Sequence, residues 1–134
     1  MASAAMTPAV FEGLIAILVL ADGLIHLALD IVVLSFDFSR GGPLPYLFLL
    51  NFFAYMSLAA LFLVSRRARA GRRRVVDLVI AAFALVTFVA WWYFTGGRGN
   101  PLNLGYTSKT IEAVLFVLVL VHWRSLNRVV STPA

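Results

Sequence analysis

Four apolar runs, each near the ~20 residues a helix needs to cross a bilayer's hydrocarbon core, divide this chain from end to end. Backbone N–H and C=O groups find no water in lipid, so only helices or a closed barrel can span it; runs this long suit helices. The runs read as spans over about 8–34, 44–64, 75–94 and 106–123. Composition agrees. The chain is 62% hydrophobic and 13% charged, against about 25% charged in a soluble domain. The expected fold is all-α, a four-helix antiparallel transmembrane bundle. Its 134 residues form a single integral membrane domain, 1–134, with no room for a second.

The breaks between runs carry the expected punctuation. Thr7-Pro8 offers a cap and a first-turn proline. Two glycines and two prolines interrupt the stretch from Ser35 to Pro45, and Thr95 to Gly105 is equally unable to lie regular at membrane depth. Thr107 and Ser108 are suitable caps for the fourth span. No Lys or Arg precedes the first run, which is also too long for a signal-peptide core, so it reads as a retained span.

Charge sets the orientation. Six of the eleven Lys and Arg lie in one stretch, Arg66, Arg67, Arg69, Arg72, Arg73 and Arg74, with Arg124 and Arg128 on the same side. Arg40, Arg98 and, at its edge, Lys109 mark the other side. The positive-inside bias then puts both termini and the central loop in the cytoplasm, in a multi-pass protein of a prokaryotic plasma membrane. Those six arginines are expected to meet anionic lipid headgroups rather than nucleic acid, despite a net charge of +5. The lack of cysteine excludes disulfides, iron–sulfur clusters and thiolate zinc sites.

Within the first run, Asp22, His26 and Asp30 are spaced four apart and share one helical face, spread over about 80°. Ionisable groups inside a span are expensive and turn toward the protein interior, so they mark a candidate site. Glu12 falls on the same stripe. Matching depths pick out partners: Asn51 and Tyr55 on the second span, Lys109 and Glu112 on the fourth. Lys109 can pair with Asp30 or Glu112, and His26 can reach Asn51, Tyr55 or Glu112. One reading is a polar pocket for a proton, cation or small ligand. The other is a set of buried hydrogen bonds and ion pairs that fixes helix docking. A metal at His26 with Asp22 and Asp30 is a weaker alternative. His26 and His122 lie roughly 20 Å apart along the normal, too far for one haem iron. His122, beside Trp123 and Arg124, reads as an interface residue. Trp91-Trp92-Tyr93 reads as an aromatic belt before a pigment or quinone platform. Gly96-Gly97-Arg98-Gly99 follows no strand and so is no phosphate loop. Asp77, just after three arginines, suits a helix N-terminus.

Gly23-Leu-Ile-His26-Leu, with four spans and a basic central loop, resembles the small four-helix membrane proteins of the DoxX-like kind. Many of these have no assigned function, and some are linked to quinone-reducing complexes. The likeness covers that motif and the layout and carries no catalytic residue across. The layout is also similar to small multidrug transporters, but their third-span glycine pattern is missing between Val75 and Phe94. Three functions follow as expectations. The first is an accessory subunit with a protein partner or self-association in the membrane. The second is a proton- or cation-coupled transporter using Asp22 and His26, and the third a cofactor- or quinone-linked redox protein. No cofactor is specified by the residues.

Overall fold

The computed structural model describes residues 8–34, 42–97 and 103–130. These residues hold four α-helices and no strand: α1 (Pro8–Leu29), α2 (Leu44–Ser65), α3 (Ala70–Thr95) and α4 (Leu104–Val130). A π-helical turn, Asp30–Leu34, prolongs α1. Each helix contains a segment long and apolar enough to cross a membrane: Ala9–Val32, Leu44–Ser65, Ala70–Thr95 and Leu104–Leu126. The protein is a small multi-pass membrane protein. Thr7, Arg40 and Arg98, used above as a cap and as charge markers, lie outside the described residues.

Two helices run further than the apolar runs alone indicate. Arg69 is extended, with φ −60° and ψ 150°, and α3 starts directly after it. Arg72, Arg73 and Arg74 therefore stand on the first turns of α3, and only Arg66 to Arg69 connect it to α2. Arginine and alanine are good helix formers, so a polar start costs α3 little. α4 likewise continues past Trp123 and carries Arg124 and Arg128 on the helix. At the other end of α3, Gly96 adopts φ 62° and donates its N–H to the Trp92 carbonyl at 2.9 Å. A left-handed glycine at that position satisfies one orphan carbonyl of the last turn.

The helices pack in the cyclic order α1–α2–α3–α4, with α4 back against α1. Their core is one apolar layer containing Ile15, Val19, Phe62, Ile80, Leu115 and Val119. Alanines at 16, 59, 81 and 84 are buried beside them. Small residues let membrane helices approach closely, and dispersion then replaces the hydrophobic drive that lipid does not supply. Gly23 is the tightest such contact. A Cβ built there would sit 3.0 Å from the Tyr55 Cβ and 2.5 Å from the Met56 Cε. On every helix this layer lies between two polar positions, Glu12 and Asp22 on α1, Tyr55 and Arg66 on the α2 side, Asp77 and Thr87 on α3, and Glu112 and His122 on α4.

Candidate functional site

The larger polar level collects residues from all four helices. Asp22 and His26 come from α1, Tyr55 from α2, Thr87 from α3, and Ser108, Lys109 and Glu112 from α4. All are buried. His26 Nδ1 lies 2.9 Å from the Asp22 backbone carbonyl and 3.8 Å from Asp22 Oδ2. A carbonyl only accepts, so Nδ1 carries the proton and Nε2 is left with its lone pair. The ring stacks on Tyr55 with centroids 5.6 Å apart. The Tyr55 hydroxyl lies 3.1 Å from Thr87 Oγ1 and donates to Glu112 Oε1 at 3.3 Å. Thr87 directs its own hydrogen to the carbonyls of Phe83 and Ala84. Lys109 Nζ donates to Glu112 Oε1 at 2.5 Å and to the Thr87 carbonyl at 3.4 Å.

Several acceptors in this level lack partners among the described residues. Asp22 is 0% exposed, lies beside Ser108 and Tyr55, and yet neither of its oxygens completes a hydrogen bond. Glu112 Oε2 and Ser108 Oγ are also unpartnered. One donor atom each from Asp22, His26 and Glu112 lie within 4.8 Å of one another. The trio differs from the weaker alternative of His26 with Asp22 and Asp30 in its third member. Residues eight apart on one helix are about 12 Å apart along its axis, so the third group has to come from another helix. Asp30 is buried higher on the first helix, in the π-helical turn, and among the described residues its oxygens bond to nothing, Lys109 included. Asn51 joins none of these bonds and stands half-buried on a cavity wall.

That cavity, of about 400 Å³, lies between α2 and α3 and reaches His26, Thr87, Ser108 and Lys109 at its polar end. Its walls are aliphatic and aromatic, with Phe48, Phe83, Trp91 and Phe94 among them. Trp91 is thus half-buried against the cavity, whereas Trp92 and Tyr93 are exposed as a belt requires.

The second polar level, at the arginine-bearing end, was only partly legible in the sequence. Glu12 accepts from Arg66 Nε at 2.8 Å and from Arg73 Nη2. His122 is 5% exposed, between rings of Phe11 and Phe62, and is not the interface residue its neighbours Trp123 and Arg124 implied. Its Nδ1 lies 2.8 Å from Asp77 Oδ2, and its Nε2 lies 3.3 Å from Arg73 Nη2 and 3.6 Å from Glu12 Oε1. Asp77 therefore serves a partner on α4 rather than its own helix end alone. Arg67, Arg69 and Arg72 are exposed, and Arg74 is half-buried.

The chain belongs to a family described as "Family of unknown function (DUF7475)", whose pattern matches residues 2–123. No curated protein and no solved structure matches it. None of these findings links it to the DoxX-like proteins that its Gly23–Leu27 motif resembles.

Proposed function

For this member of a family without assigned function, we propose a proton- or cation-coupled membrane protein that works through Asp22, His26 and Glu112. The observation that carries the reading is a charge imbalance in a place closed to water. Two carboxylates, Asp22 and Glu112, face one ammonium, Lys109, while three carboxylate oxygens stay without a hydrogen bond. An uncompensated charge at membrane depth is unfavourable by several kcal/mol or more. One proton or one monovalent cation restores neutrality. His26 Nε2 supplies a neighbouring proton acceptor, and Lys109, held by Glu112 at 2.5 Å, is a tethered cation that an incoming one displaces. Glu12, Asp77 and His122 form a second polar station across the apolar layer, about 15 Å along the helices.

The positive-inside bias puts the arginine end, and with it both termini, on the cytoplasmic side. The exposed apolar faces, such as Val86, Val89 and Trp92 on α3, are covered by lipid as readily as by a partner. They do not favour an accessory subunit over a self-contained site. The test is flux. In liposomes holding a pH-sensitive dye and a potassium diffusion potential, the protein should conduct protons or Na⁺ above protein-free vesicles. Asp22→Asn and Glu112→Gln should each abolish that flux, while Arg67→Gln keeps it. Wild-type vesicles no leakier than empty ones, or an unimpaired Asp22→Asn, would overturn the reading.

A further inference from the structure

We propose that the cavity between α2 and α3 is a binding chamber for a free membrane-borne lipophile of one chain or one ring, headed by a carbonyl-type oxygen. Size and walls come first. About 400 Å³ is within the range of pockets that take small organic ligands, and its lining is almost wholly apolar. Leu50 and Val86, each 62% exposed, and Phe94, 54% exposed, form part of that lining. They stand on spanning helices, so part of the cavity's rim faces acyl chains, while Leu44, Thr95 and Gly105 line it at helix ends.

The polar end selects the head group. Ser108 is fully buried beside Asp22, behind the cavity wall it helps to form. Lys109 has given two of its three hydrogens, to Glu112 and to the Thr87 carbonyl. Thr87 has turned its hydrogen onto α3. The carboxylates of Asp22 and Glu112 stand behind these groups and are not on the wall. On the chamber floor the third hydrogen of Lys109 stands beside the His26 ring, which suits an oxygen acceptor better than a second ammonium. Lys109 is shared with the proposed ion site, but ligand binding is read without an ion gradient, so the chamber and the flux proposal are tested separately.

The same acceptor occurs in phospholipid esters, so the experiment starts in nanodiscs of ether lipid, which has no carbonyl. Undecan-2-one labelled with ¹³C at the carbonyl is titrated and its C=O stretch recorded, with undecane and undecylamine as competitors. The expected result is one saturable site per protein, a band moved to lower frequency, and displacement by neither competitor. Lys109→Met, which keeps the length of the side chain and removes its hydrogens and charge, should weaken binding about tenfold, the loss of one net hydrogen bond. Ala90→Phe fills the chamber from α3 and should abolish the site. The proposal is overturned if undecylamine binds as tightly, if the band does not move, or if Ala90→Phe binds like the wild type. In ester-lipid discs the ketone should still bind; failure there makes the lipid's own ester the occupant and overturns the free lipophile.

Discussion

Asp22 combines complete burial with two unpartnered oxygens, and that pairing makes its substitution informative. Asn keeps the shape and removes the charge, and Leu removes the polarity altogether. Because an apolar residue often replaces a buried ionic one without loss, Asp22→Leu should unfold at the same or a higher temperature, by up to about 1–3 kcal/mol. Thermal unfolding in mild detergent measures this, and a large fall in melting temperature would show that Asp22 holds the bundle together. Gly23, next to it, is a packing residue. The Tyr55 Cβ is rooted in α2 and cannot swing away as the Met56 methyl can. Gly23→Val should cost about 1–3 kcal/mol by overpacking and move the Tyr55 ring off His26. Gly23→Ala should cost less. Equal stability of Gly23→Val and wild type in a denaturant titration would refute the close approach.

At the scale of elements, Glu12 ties the start of α1 to the end of α2 through Arg66 and to the start of α3 through Arg73, which also reaches His122 on α4. Breaking a buried ion pair by removing one partner costs about 3–5 kcal/mol. Here the side chains of Arg66 and Arg73 are 38% and 20% exposed, so solvent screening reduces the expected loss for Glu12→Gln to about 1–2 kcal/mol. Arg67→Gln, on an exposed side chain, should stay within about 0.5 kcal/mol. A double-mutant cycle between Glu12 and Arg73 checks the coupling, and additivity would refute the clamp. The split also refines the lipid expectation. Arg67, Arg69 and Arg72 are exposed and outside the Glu12 clamp, and neutralising all three should release anionic lipid, about 1 kcal/mol for each charge. Native mass spectrometry of the bound lipid reads this, and retention equal to wild type would contradict it.

For the whole molecule the prediction is that the arginine end faces the cytoplasm. Because the chain has no cysteine, single labels report without background. Gly71→Cys suits the arginine end, since nothing lies within 4 Å of a Cβ there. It should resist an impermeant thiol reagent in intact cells, and Ser39→Cys and Asn100→Cys should react. The reverse pattern would invert the orientation and with it the direction of any flux.

The sequence by itself determined the number of helices, their rough limits and the arginine-rich end. Lipid leaves a chain of such runs few alternatives, and the cost of intramembrane charge turns Asp22 and His26 inward before any packing is known. Tertiary structure alone decided the partners. In a membrane helix the lipid-facing and core-facing sides are both apolar, so periodicity does not reveal which way each helix is rotated. Rotation is what brings Glu112 rather than Asp30 to His26, and Thr87 and Ser108 beside them, two small hydroxyls with no signal of their own. It also turns His122 away from the interface expected of a neighbour to Trp123 and into a buried pair with Asp77. Only the assembled bundle, in which ion pairs and close glycine and alanine contacts fix those rotations together, sets them.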